Sequence, residues 1–241
     1  RRVLFRSHPV EQMIAMIRKQ SDAIIVLDAA QSLPHGRLNL HTLGADFVAF
    51  SAHKMLGPTG LGFLYANRHR LDSLKPLQFG GGTVDWVDTD GQISRRAPYH
   101  LEAGTPAIAS VIGAGASFRL LAGFDETALR AHDRNLVNSL LSGAASRPYL
   151  KLIGPSDGEN RHAIGAFKFS DCVSVGEIAR LLSDAYGIMC RSGYMCAQRF
   201  VGALAGGEIL RASAYLYNTT ADIDALYQAL DDLAECMGLP T

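Results

Sequence analysis

The 241 residues are 48% hydrophobic and 19% charged, with 23 Lys and Arg set against 23 Asp and Glu. This composition reads as a soluble globular chain of one large or two small domains, and zero net charge leaves no electrostatic case for nucleic acid or an anionic membrane surface. No apolar stretch reaches the roughly 18 residues that a membrane-spanning helix needs.

Residues 1–7, RRVLFRS, show neither a cap nor strand alternation. They read as a translated sequencing-adapter scar, so the chain is expected to start inside a longer gene, and they are set aside from the fold. Residues 9–19 place Val10, Met13, Ile14 and Ile17 at helical spacing with Pro9 in the first turn. Three apolar runs follow at 23–28 (AIIVLD), 45–50 (ADFVAF) and 60–66 (GLGFLYA), each reading as a strand buried on both faces. Strands alternating with helix point to an α/β sheet covered by helices, whose ligands collect at the carboxyl ends of the strands. Asp28 and Gln31 follow the first run there, and Ser51, His53 and Lys54 follow the second. Residues 78–87 read as a Gly-rich loop and 97–106 as an extended segment leading into a turn. A small-residue helix suited to close packing is expected over 107–124, and a second helix over about 125–143.

From residue 125 the pattern changes to that of a smaller α+β domain. Residues 162–170 alternate as a half-buried strand. SVGE at 174–177 is a capping-box pattern opening a helix that Gly187 closes. Residues 208–218 read as a strand, and a last helix over about 221–236 puts Ile223, Leu226, Tyr227, Leu230 and Leu233 on one face. The expected organisation is therefore 1–7 as scar, 8–124 as a partial large domain and 125–241 as a small domain.

A lysine becomes a nucleophile when burial or a nearby cation removes its proton, and Lys54 follows a strand end beside His53. Upstream, Asp28 ends another strand and suits the protonated nitrogen of a pyridine ring, which a carboxylate keeps electron-accepting. Gln31 is placed for a ring hydroxyl, and Ser51, His53 and Thr105 are candidate phosphate donors. Taken singly, Lys54 also reads as a solvated lysine and Asp28 as a capping carboxylate.

Five blocks extend this reading: VLDAAQSLPH (26–35), FSAHKMLGPTG (50–60), LEAGTP (101–106), CRSGYMCAQ (190–198) and LRASAYLYNT (210–219). In order and spacing the set resembles the fold-type I, class V pyridoxal-phosphate enzymes. Its nearest likeness is to the type II, SufS-like cysteine desulfurases, a group that includes selenocysteine lyases. The resemblance implies what remains of a fold-type I large domain, a mostly parallel sheet with helices, plus the smaller C-terminal α+β domain. It implies pyridoxal 5'-phosphate held covalently by Lys54, with Asp28 on the ring nitrogen, Gln31 on the ring oxygen and Ser51 and His53 on the phosphate. Thr105 would reach the phosphate of the other subunit of a homodimer. Arg211, with Arg191, would bind the substrate carboxylate, a bidentate task suited to guanidinium. Cys196 would take sulfur from L-cysteine as a persulfide, leaving L-alanine, and pass it to an acceptor protein, as in iron–sulfur cluster assembly. Cys190 reads as structural and Cys172 and Cys236 as packing residues.

The chain departs from the family pattern where Tyr194-Met195, rather than a histidine, precede Cys196 and where Arg199 follows Gln198. The first part of the cofactor domain, with its ring-stacking residue, is also absent, so weak cofactor binding by the chain as given is expected. Other class V reactions, those of an aminotransferase, epimerase, selenocysteine lyase or kynureninase-like hydrolase, and a non-catalytic interaction module are the competing readings. The cysteines show no zinc-ligand spacing, so no metal is expected, and reduced thiols place the protein in the cytoplasm.

Overall fold

In the computed structural model, which describes residues 8–159, 161–170 and 173–240, the first helical stripe forms α1 (Val10–Gln20). Pro9 is its N-cap rather than a first-turn residue. Ile14 is buried against Ala29, Leu43, Ala45 and Val48. Strand β1 (Val26–Asp28), a single helical turn α2 (Ser32–His35) and strands β2 (Phe47–Ser51) and β3 (Gly62–Ala66) follow. The sheet order is β1–β2–β3; the first pair is parallel and the second antiparallel, so this sheet is mixed. The β2–β3 link, residues 52–61, is too short for the crossover that a parallel pair needs.

Burial of the first and third strands on both faces, as their composition suggested, is not observed. Ile24, Val26 and Leu64 are each about three-fifths exposed. Strand β1 lies at the sheet edge, and the buried cluster that includes Ile14 takes in Ile25 and Leu27, so alternate side chains reach solvent.

After α3 (Arg68–Leu71), capped by the Asn67 side chain, the Gly-rich stretch contains a hairpin rather than a loop throughout, β4 (Val84–Val87) with β5 (Gln92–Ser94). Asp88 Oδ1 accepts from the Asp90 and Gly91 N–H groups, both at 2.9 Å, and closes the turn. The segment expected to be extended at 97–106 instead forms a 3-10 turn at Tyr99–Leu101, in which Leu101 N donates to Pro98 O at 2.9 Å. Helix α4 (Ile108–Gly123) matches its small-residue pattern.

Two compact units divide the chain, Pro9–Asp125 and one beginning at Glu126. The second is built from α5 (Glu126–Ala145), β6 (Lys151–Leu152), β7 (Ile164–Lys168), α6 (Val175–Tyr186), β8 (Arg191–Gly193), α7 (Gln198–Ala205), β9 (Ile209–Ser213) and α8 (Thr220–Cys236). Its sheet, in the order β6–β7–β9–β8, is antiparallel throughout. Helices α5, α6 and α8 supply Leu136, Leu140, Ile178, Leu182, Leu226 and Leu230 to one core with Phe167 and Leu210. A smaller cluster of Ala166, Ile209 and Val201 from α7 covers the alternate residues. Strand β7 is therefore buried along nearly its whole length rather than half-buried, because both faces are covered.

The termini of α6 follow their sequence signals. Ser174 Oγ accepts from Glu177 N at 3.3 Å; Gly187, left-handed at φ 67°, donates to the Ser183 carbonyl at 3.2 Å, and Ile188 N to the Leu182 carbonyl at 2.9 Å. All five residues assigned to the inner face of α8 are buried. Strand β9 stops at Ser213, before the expected end, because Tyr215 N donates to Asn218 Oδ1 and Asn218 N to Tyr215 O in a turn. Cys236 is exposed, not packed, since at 100° per residue it falls off the buried stripe of α8. Cys172 and residues 1–7 lie outside the described residues.

Candidate active site

Parallel pairing brings the carboxyl ends of β1 and β2 to one sheet edge. Asp28 is level with Ala49, two residues before Ser51. Side chains alternate along a strand, so Asp28 and Ser51 stand on the same face, the one that also carries Val26 and Leu64. Asp28 is exposed there, and its Oδ1 accepts from Ala30 N at 3.1 Å. Gln31, half-buried, is the N-cap residue of α2.

Beyond Ser51 the chain enters a 3-10 turn at Ala52–Lys54. The buried Ala52 carbonyl accepts from Met55 N at 2.8 Å and Gly57 N at 2.9 Å. A Cβ at Gly57 would lie 2.9 Å from that oxygen, so only glycine closes the turn without displacement. Ser117 Oγ of α4 donates to Leu56 O at 2.9 Å, and Gly113 of the same helix lies under the Pro58 ring. Small residues on α4 thus let the lysine-bearing turn approach its backbone. Among the described residues Lys54 Nζ has no hydrogen-bond or ion-pair partner, and the side chain is half-buried. His53 is exposed beside it. Thr105 sits in a separate exposed turn, anchored where Gly104 N donates to Gly81 O at 2.8 Å. An unpartnered amine, a carboxylate and a hydroxyl at one sheet edge, with an imidazole next in sequence to the amine, form a donor set that fits pyridoxal phosphate.

The second unit holds the other predicted residues. Arg191 on β8 is the register partner of Arg211 on β9. Like charges directly opposed on neighbouring strands repel unless something anionic sits with them. Neither guanidinium is paired with a carboxylate among the described residues. Among the described residues Arg211 Nε is buried without a hydrogen-bond partner, and burial, then the Arg191 charge, lowers that guanidinium from its usual value.

Between β8 and α7 the backbone turns left-handed at two consecutive non-glycine residues, Met195 (φ 55°) and Cys196 (φ 58°). Met195 is buried against Ile153, Ala166, Val201 and Ile209, while Cys196 is exposed with its sulfur accepting from Arg191 Nη2 at 3.1 Å. Cys190, by contrast, packs against the main core, where burial pushes its thiol up to about 11.

Sequence reading missed three things that shape these sites. It did not assign Gly57, Gly113 and Ser117 to the lysine turn, although the IGAGAS spacing carried a hint. Helix α7 lacked a signal because its N-cap, Ala197, has no capping side chain. The Arg191–Cys196 contact depends on loop geometry that no local pattern encodes.

The model of the family described as aminotransferase class-V matches residues 6–226. A Halalkalibacterium halodurans protein named "Probable cysteine desulfurase" is 37% identical over 236 residues, covering 98% of this chain and 57% of that protein. One of the same name from Pasteurella multocida is 39% identical over 225 residues, covering 93% of this chain and 52% of that protein. Among solved structures, the cysteine desulfurase CsdA of Escherichia coli superposes with a TM-score of 0.83 at 32% identity, covering 95% of this chain and 55% of that one. The apo cysteine desulfurase of Thermococcus onnurineus NA1 gives 0.88 at 31%, covering 95% and 56%. The expected α/β fold is thus the fold of these enzymes, and the chain spans about half the length of the relatives it matches. With the ordered blocks, the lysine turn and the match along nearly all of its length, the chain belongs to the aminotransferase class-V family.

Proposed function

We propose that the protein acts as a pyridoxal-phosphate-dependent cysteine desulfurase, releasing L-alanine from L-cysteine and carrying the sulfur on Cys196 as a persulfide. The observation that carries this reading is the corner formed by Arg191, Arg211 and Cys196. Two guanidiniums without carboxylate partners among the described residues suit a substrate carboxylate, and the exposed thiol beside them suits a sulfur acceptor. Other class V reactions need no thiol there. Bound pyridoxal phosphate supplies the electron-accepting ring. In this reading Lys54 holds it and moves protons, Asp28 keeps the ring nitrogen protonated, Gln31 contacts the ring oxygen and Ser51 and His53 bind the phosphate.

A homodimer in which Thr105 reaches the neighbouring phosphate, a sulfur-accepting partner protein, a role in iron–sulfur cluster assembly and a cytoplasmic location complete the proposal. Free thiols at Cys190, Cys196 and Cys236 support the reducing compartment. The test is incubation of the protein, extended to the length of its relatives, with L-cysteine and the cofactor. Alanine release with one added sulfur on the Cys196 peptide is expected; turnover of cysteine at an unchanged rate in Cys196→Ser would overturn the reading.

A further inference from the structure

Cys196 is held in a way that an ordinary exposed cysteine is not. Its backbone and that of Met195 occupy the left-handed region, which L-residues adopt only when the surroundings compel it. Burial of the Met195 side chain pins one end of this loop. The other constraint is the Arg191 Nη2 donor, 3.1 Å from the sulfur. Tyr194 and Met195 leave no imidazole next to Cys196 in sequence, so the cation at the sulfur is a guanidinium, and arginine stays protonated throughout the physiological range. Arg211, opposite Arg191 in the ladder, adds a second positive charge to the same corner.

We infer that Arg191 is the positioning residue for Cys196: it fixes the sulfur at the two-arginine corner, inside a permanent cationic field that favours anionic, carboxylate-bearing reactants over neutral ones. The inference draws its functional meaning from the proposed sulfur-carrying role of Cys196, and its geometry lies wholly within the second unit.

The test compares two alkylating reagents, anionic iodoacetate and neutral iodoacetamide, on the 241-residue chain. Labelling of the Cys196 and Cys236 peptides is followed by mass spectrometry. Both reagents attack the same thiolate, so the ratio of their rates cancels the ionisation of the thiol and reports the field around the sulfur. Cys236 is an internal reference, exposed like Cys196 but on a helix that carries Asp232 and Glu235 nearby. At low salt the iodoacetate-to-iodoacetamide ratio at Cys196 is expected to exceed that at Cys236 by about threefold to tenfold, and to collapse toward it in molar salt. Arg191→Gln should lower the Cys196 ratio by about threefold or more, and Arg191→Lys should keep most of it. Equal ratios at the two cysteines in the unsubstituted chain overturn the inference. So does a Cys196 ratio unmoved by Arg191→Gln, or one that falls equally in Arg191→Lys, which would indicate packing alone. Equal ratios or a salt-independent ratio in the unsubstituted chain overturn the inference even if a variant fails to fold. Loss of desulfuration in a Cys196 assay would leave this ratio intact, so the two readings fail separately.

Discussion

Arg18 donates to the buried Asp46 carboxylate, Nη2 to Oδ2 at 2.5 Å, joining α1 to the residue that leads into β2. Arg70 Nε donates to the other oxygen at 2.9 Å, and Ile25 N to Oδ2 at 2.8 Å. The backbone donor first, then the Arg70 and Arg18 side chains, hold this carboxyl at about 2 against a burial effect that pushes it up. A carboxyl held below its ordinary 3.8 contributes stability above that value, and the contribution is lost as pH falls toward 2. Asp46→Asn is therefore expected to lower stability by about 1–3 kcal/mol at neutral pH, with the gap closing between about pH 4 and pH 2. Urea denaturation of both forms across that range checks it, and a gap independent of pH counts against the assignment.

Gly57→Ala should destabilise the first unit by about 1–3 kcal/mol, because the new Cβ meets the Ala52 carbonyl that closes the lysine turn. Ser117→Ala, which removes one hydrogen bond to the same turn, should cost about 1 kcal/mol. Equilibrium denaturation gives both values. The ranking is the point of the test: a Gly57→Ala variant as stable as the parent would show that the turn has room to relax.

Lys54 is expected to carry the cofactor covalently. In the protein extended to the length of its relatives, borohydride reduction followed by peptide mapping should find the cofactor's mass on the Lys54 peptide and nowhere else. Lys54→Ala should abolish the adduct. An adduct on another lysine would move the assignment.

Cys190 should be the slowest thiol among the described residues. Burial pushes it up to about 11, so at pH 8 it stays protonated while it is also sterically shielded. Alkylation by iodoacetamide at pH 8 is expected to be at least about tenfold slower at Cys190 than at the exposed Cys236. Comparable rates would mean that the core around Cys190 opens readily.

Local pattern alone established much of this protein. Helical spacing located α1 and α8, a small-residue run located α4, and Ser174 and Gly187 marked the ends of α6, because period and capping chemistry act over a few residues. The five ordered blocks likewise carried the family, since a motif set is read from residue identity and spacing.

Tertiary structure decided the rest. A continuous apolar run made β1 look fully buried and alternation made β7 look half buried, and the outcome was the reverse. How many faces of a strand are covered depends on which distant helices pack there: Val201 of α7 lies on the far side of β7, whereas Val26 of β1 faces solvent among the described residues. The opposition of Arg191 and Arg211 is set by the register of β8 against β9, and the Arg191–Cys196 contact by two left-handed residues whose strain is tolerated because Met195 is buried. These are long-range consequences of packing, and no window of sequence contains them.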